Sequence, residues 1–150
     1  MRRVVQGPIT FRVYPRRSRR GLYVLVRVFR TQRELVRTIR AENRRFGSDE
    51  VTEPDVQGLM QTHRVRSGRR GRLLPGIGVV NLHRARLGMI VVAHEFGHAM
   101  FEWANRKGLW IQLTSGDTMP VEEKILHAQS EMLRQFMDRA DKLGLYGEHS

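Results

Sequence analysis

The segment that most restricts the fold is residues 88–108, which read GMIVVAHEFGHAMFEWANRKG. Its spacing predicts one long helix, from about Leu87 to Lys107, with Gly108 where glycine commonly follows a helix. The predicted helix is apolar around most of its circumference, because its ionisable side chains gather in one strip. Other elements have to cover such a helix on several sides, so we expect it to be largely buried.

Two histidines and a glutamate lie on that polar strip, in the order His94-Glu95-Phe96-Gly97-His98. Residues four apart lie one above the other on a helix, so both imidazoles can reach one metal ion. Glu95 is the next residue after His94, so it is rotated by about 100° around the helix axis. This rotation places its carboxylate beside a metal rather than on it. From there it can take a proton from water and pass it to a leaving group. The pattern predicts a zinc site with His94 and His98 as ligands and Glu95 as general base.

A catalytic zinc usually has three protein ligands, so the chain has to supply one more. Cysteine is absent, which leaves His, Asp and Glu. In the last predicted helix, from about Pro120 to Leu143, periodicity places Glu122 inside the apolar face and Glu123 at its edge. Because a buried acid is costly unless it is paired or metal-bound, Glu122 is the preferred ligand and Glu123 the alternative. Compensation of the helix dipole would account equally well for both glutamates. The other candidates are Asp117, His127 and Glu131.

The remaining pattern predicts a single α+β domain over residues 1–150. Residues 9–15 alternate in polarity and 22–29 are a β-branched run, so we expect two strands, the second of them central. Residues 77–83 predict a further strand, whereas 48–75 predict mainly a loop, with room for one short strand, and a basic turn that ends at Pro75-Gly76.

A helix is predicted between the second strand and the loop. Thr31 and Glu34 form a capping box, and the helix carries apolar residues towards a core until it ends near Gly47. Those apolar residues are Leu35, Val36, Ile39 and Phe46. We therefore expect a short, mostly antiparallel sheet packed on the histidine-bearing helix and the last helix.

Arginine dominates the charge of the chain, which has a formal net charge of +12. Arginine clusters at 16–20 and 64–72 are compatible with phosphate contacts to nucleic acid. Few aromatic residues lie among these arginines, which disfavours a base-stacking platform. A genome rich in arginine codons would give the same composition without any such partner.

The amino-terminal segment is basic but lacks the apolar core of a signal peptide, and no run is long and apolar enough to span a membrane. We expect a cytoplasmic protein with no membrane partner.

The motif at 94–98, followed by a glutamate on the next helix, resembles a minimal gluzincin metallopeptidase. Within that group residues 77–143 are similar to ImmA/IrrE-type and SprT-like proteins and to small zincins of actinobacteria and their phages. The resemblance implies a zincin-like fold, with His94, His98 and Glu122 as Zn2+ ligands and Glu95 as general base. It also implies that the strand at 77–83 is the sheet edge on which an extended substrate pairs.

The function that this resemblance implies is zinc-dependent hydrolysis of peptide bonds in a protein substrate. One alternative is a nucleic-acid-associated basic protein, which could also be a protease acting on DNA-bound proteins. Another is a catalytically inactive zinc-binding relative. Glu95 speaks against the last, because a purely structural zinc site has no need of an acid beside the metal.

Overall fold

The computed structural model describes residues 7–45, 47, 56–62, 66–67, 72–73, 76–109 and 119–146. Phe46, Asp117 and most of the basic segment 64–72 lie outside these ranges. In chain order the elements are β1 (Ile9–Val13), β2 (Tyr23–Phe29), α1 (Gln32–Arg45), β3 (Gly58–Gln61), β4 (Arg66–Ser67), β5 (Arg72–Leu73), β6 (Gly76–His83), α2 (Met89–Arg106) and α3 (Met119–Lys142).

Four strands form a mixed sheet in the order β1-β2-β6-β3. β2 lies inside this sheet, as predicted, and Val26 is opposite both Phe11 of antiparallel β1 and Val80 of parallel β6. β3 runs antiparallel to β6, with Met60 opposite Val80. β4 and β5 form a separate antiparallel pair. The prediction that the strand at 77–83 forms the sheet edge is wrong, because β3 covers that side of β6.

β3 falls in the region where mainly loop was predicted. Gly78 of the neighbouring strand β6 allows β3 to approach closely. A Cβ atom at Gly78 would lie 2.2 Å from Met60 Cε and 2.6 Å from the Gln61 carbonyl oxygen. Contacts this short do not occur between real atoms, so a side chain at this position would push β3 off β6. The close pairing of these two strands therefore depends on glycine at residue 78.

The helices lie on both faces of the sheet. α2 packs against one face together with α3, which lies across α2, while α1 packs against the other. Phe96 of α2 and Phe136 of α3 are fully buried, with ring centroids 5.6 Å apart. The smaller core under α1 consists of Phe29, Leu35, Val36 and Ile39. The α+β prediction is confirmed. The expectation that α2 is largely buried is only partly met, because seven of its 18 residues are buried while Met89, Ile90 and Phe101 are exposed.

The helix ends agree with the sequence signals. Thr31 Oγ1 accepts a hydrogen bond from the Glu34 backbone N–H at 3.2 Å, so the Thr31 half of the predicted capping box forms. Gly108 follows α2 with φ of 65°, the left-handed conformation that glycine adopts most easily. Among the helices that the structure describes, none has the length and apolarity needed to cross a membrane.

A polar network between α1 and the sheet ties the edge strand to the interior strands. Arg27 of β2 donates from Nε to Asn81 Oδ1 at 2.8 Å and from a terminal nitrogen to Gln61 Oε1 at 3.1 Å. Asn81 Nδ2 also donates to Gln61 Oε1 at 2.9 Å. The second side of the Arg27 guanidinium pairs with Glu42 of α1. The network holds β3 from the face opposite α2, through side chains from three strands.

Candidate metal centre

His94 and His98 lie on successive turns of α2, on its exposed side. Their Nε2 atoms are 3.2 Å apart, and the rings meet edge to face with centroids 4.8 Å apart. Zinc–nitrogen bonds of 2.0–2.1 Å in tetrahedral geometry place two ligand nitrogens about 3.3 Å apart. The histidine pair therefore has the separation that two imidazole ligands of one zinc ion adopt, and neutral imidazole nitrogen is a donor that zinc prefers.

Glu95 points away from the solvent-facing strip and into the junction between α2 and β3. Its residue is only 6% exposed, unusually low for a carboxylate. Burial raises the pKa of Glu95, while the charges of His94 and His98 and a hydrogen bond from the Met60 backbone act in the opposite direction. A raised carboxyl pKa lies closer to the value that a general base needs at neutral pH.

Gly58, the first residue of β3, leaves room for the Glu95 side chain. A Cβ atom at this position would lie 3.1 Å from Glu95 Cγ and 3.2 Å from side-chain carbons of both Leu82 and Val91. These contacts are tighter than side chains normally make, so a larger residue would crowd the carboxylate. Gly58 and the Met60 N–H together make β3 the strand that positions Glu95.

A cleft of about 600 Å³ runs between α2 and β3, with the histidine pair on its wall. This volume is within the range of pockets that take small molecules or a few residues of a peptide. Phe101, which is 52% exposed, supplies apolar surface close to the histidines. The described lining consists of Gly58, Leu59, Met60, Thr62, His94, Glu95, His98, Phe101, Glu102 and Asn105.

The structure does not bring Glu122 to the two histidines. Glu122 is exposed on α3 and is not part of the cleft lining. Its predicted place inside the apolar face is wrong, because that prediction counted Leu126 as core, and Leu126 is 54% exposed. The buried stripe of α3 is narrower and leaves Glu122 outside it, with Val121, Ile125, Ala128, Met132, Phe136 and Ala140 as its members.

The alternative ligands fare similarly. Glu123 is exposed and lies 3.4 Å from His127, one turn further along α3. Glu131 is held by Arg134, which lowers its pKa to about 2. Within the described ranges no three His, Asp, Glu or Cys side chains are grouped closely enough to hold a metal. The described donor set therefore comprises the two imidazoles, and Asp117 lies outside the described residues.

The sequence pattern gave no sign of the contribution of β3. Gly58, Met60 and Thr62 lie in a region predicted as loop, yet they form one wall of the cleft. Glu102 of α2, four residues after His98, is half-buried in the same cleft. Comparison of the chain with family models, with curated proteins and with solved structures finds no match.

Proposed function

We propose that this chain is a zinc-dependent peptidase that binds the metal through His94 and His98 and uses Glu95 as the general base. The observation that carries the proposal is the 3.2 Å separation of the two Nε2 atoms beside a buried carboxylate. Imidazoles at this separation suit one zinc ion, and the carboxylate is one residue away along the helix.

The chemistry divides between the metal and the protein. A zinc ion would supply a Lewis acid that lowers the pKa of water and polarises a carbonyl group. The Glu95 carboxylate takes a proton from the attacking water and gives it to the leaving amine nitrogen, so that water adds across the amide bond. The Met60 N–H orients this carboxylate and stabilises its charged form.

A peptide is the substrate class that the cleft suits best. Along the described part of the sheet, β3 has a strand neighbour on one side only, namely β6. Its other edge borders the cleft, so the backbone groups of this edge other than the Met60 N–H, which binds Glu95, can pair with an extended chain by strand addition. This assigns to β3 the role that the resemblance implied for the strand at 77–83.

The third ligand is a separate question from the histidine pair. The sequence alone predicts Glu122 as the third ligand, whereas in the structure Glu122 is exposed and outside the cleft lining. From its exposure we expect Glu122→Gln to keep the zinc affinity of the unmodified protein. A loss of tenfold or more in zinc affinity, absent from Glu123→Gln, would assign the ligand to Glu122.

The proposal is tested with zinc-loaded protein and a mixture of quenched fluorescent peptides. Glu95→Gln should retain zinc and lose at least about a hundredfold in cleavage rate, as removal of a general base does. Asp141→Asn is the control, because it removes an exposed carboxylate of α3 that lies outside the cleft lining, and its rate should stay within a few-fold of the original. Equal rates for Glu95→Gln and the unmodified protein would contradict the proposed mechanism.

A further inference from the structure

The solvent-facing side of α1 carries arginine almost exclusively. Six residues of this helix are exposed, and all but Ala41 are arginine. Its two acidic residues are only partly exposed: Glu42 pairs with Arg27 of the sheet, and Glu34 lies in the first turn. We call the exposed arginines the α1 arginine face; they are Arg33, Arg37, Arg40, Arg44 and Arg45.

A bias of composition would place arginine on every surface, and α3 shows that it does not. The exposed side chains of α3 carry balanced charge, with acidic Glu122, Glu123, Asp138 and Asp141 against basic Lys124, Arg134, Arg139 and Lys142. Four of these α3 residues, Glu123, Arg134, Asp138 and Lys142, also lie in ion pairs on the helix surface. Of these two long surface helices, α3 therefore carries balanced charge and α1 carries a surface of arginine.

The arginine spacing forms a straight row. Arg33, Arg37 and Arg44 differ by four and seven residues, so they lie within about 40° on the helix surface. The row extends about 16 Å along the helix axis, which equals about five phosphate steps of one strand of double-helical DNA. Arg40 and Arg45 interact with other groups of the protein, so the row consists of Arg33, Arg37 and Arg44.

The charge continues past the amino-terminal end of α1. Arg30, Arg84 and Arg86 are exposed, and the Arg84 backbone N–H donates to the Phe29 carbonyl at 2.8 Å. That hydrogen bond places Arg84 beside Arg30, immediately before the helix begins. The basic surface therefore extends from the end of β2 along α1.

We propose that the α1 arginine face binds double-helical nucleic acid through its phosphate backbone. Guanidinium groups bind phosphate oxygens in pairs of hydrogen bonds, which makes arginine well suited to this contact. No exposed aromatic residue lies on α1, so the face offers nothing on which unpaired bases could stack. The apolar side of α1 is buried against the sheet, so the helix has no free apolar face to insert into a lipid surface.

This binding is independent of the proposed peptidase activity. α1 and α2 lie on opposite faces of the sheet, so a duplex on the arginine face leaves the cleft of His94 and His98 open. The contacts are to the backbone, so affinity should vary little with sequence and strongly with salt. The chain would bring its cleft to molecules already held near a duplex.

The test is fluorescence anisotropy of a short labelled DNA duplex of mixed sequence, titrated at several salt concentrations. The triple variant Arg33→Gln, Arg37→Gln, Arg44→Gln should bind at least about tenfold more weakly at low salt and reduce the salt slope by about 2.7, which is 0.9 for each lost phosphate contact. The matched control changes Arg16, Arg17 and Arg20 to Gln, three exposed arginines of the β1–β2 loop with the same total charge. The control should bind within about threefold of the unmodified protein.

Three results would overturn the proposal. The first is that the unmodified protein does not bind the duplex at low salt. The second is that the loop variant loses as much affinity as the helix variant. The third is that vesicles with anionic lipid bind through the same arginines as tightly as the duplex. The single variant Arg37→Glu guards against a folding defect, because one exposed substitution leaves the core untouched and should still weaken binding. Thermal unfolding of each variant verifies that the fold is retained.

Discussion

The Nε2 atoms of His94 and His98 lie 3.2 Å apart, on side chains separated by one helical turn. Each imidazole is exposed, whereas the carboxylate between them in the sequence is buried against β3. The helical period produces this division, because neighbouring residues differ by about 100° while residues four apart nearly coincide. The helix α2 therefore presents the imidazoles of His94 and His98 to the cleft and directs the Glu95 carboxylate towards β3.

Burial of Glu95 should reduce the stability of the metal-free protein. A carboxylate in this position gives up water for one backbone hydrogen bond, so we expect Glu95→Gln to raise the free energy of unfolding by about 1 kcal/mol. For a chain of this size the gain corresponds to an increase of about 2–4 °C in the melting temperature. Calorimetry in chelator measures it, with the exposed Glu123→Gln as a control that should change little. A destabilised Glu95→Gln would show that the buried charge is a net stabilising interaction.

Substitution of Gly58 should impair Glu95 more than it impairs the fold. The added Cβ of Gly58→Ala meets Glu95 Cγ at 3.1 Å, so the carboxylate has to shift from its place beside the histidines. We expect a loss of about tenfold in peptide cleavage with zinc binding retained. Gly97→Ala is the control, because among the described residues its Cβ meets only Gln129 Nε2, at an ordinary 3.8 Å, and alanine favours the helix by up to about 1 kcal/mol. Equal activities of the two variants would remove Gly58 from the account.

The polar network under α1 should matter to stability. Asn81→Leu removes the acceptor of Arg27 Nε and a donor to Gln61, and it leaves these groups buried or half-buried without those partners. We expect a loss of about 2–3 kcal/mol in the free energy of unfolding, measured in urea. Lys142→Ala breaks an exposed ion pair with Asp138 and should change stability by less than about 0.5 kcal/mol. A similar loss in both variants would contradict the importance of the network.

His83 should make the protein less stable in mild acid. It is 5% exposed at the end of β6, with its Nδ1 buried and unpartnered among the described residues, and burial together with the charge of Arg86 lowers its pKa. The unfolded chain takes up the proton first, so the stabilising contribution is complete above pH 6.5 and declines as pH falls towards the lower folded-state pKa.

The measurement for His83 is the difference in urea unfolding between pH 7.5 and pH 5.5, compared for the unmodified protein and His83→Gln. The variant has no group to protonate at this position, so its loss of stability in acid should be smaller. Identical losses would show that His83 does not contribute to the pH dependence.

The sequence predicts long elements well and their partners less well. α2 was predicted almost to its ends because its apolar period continues over five turns and Gly108 ends it. The region of β3 was predicted as mainly loop with room for one short strand, and the bounds of β3 were not predicted, because Gly58-Leu59-Met60-Gln61 is too short to show a period. Its position depends on Gly78 and on the side-chain network from Arg27, which are distant in the chain.

In the candidate site too, the relations within one helix were predicted and the relations between elements were not. His94, Glu95 and His98 are fixed relative to one another by the period of a single helix, so local sequence sufficed. The relation of Glu122 to them depends on how α3 packs, and the apolar face of α3 was drawn too wide because Leu126 remains in solvent. An exposed leucine in an amphipathic pattern cannot be distinguished from a buried one without its neighbours.

Zinc binding by His94 and His98 is measured by elemental analysis after chelator treatment, reconstitution and removal of free metal. We expect one zinc per chain in the unmodified protein and in Glu95→Gln, because Glu95 is beside the donors rather than one of them. His94→Ala and His98→Ala should each lose nearly all of it. No zinc in the reconstituted protein, or an unchanged content after both histidines are replaced, would contradict the account.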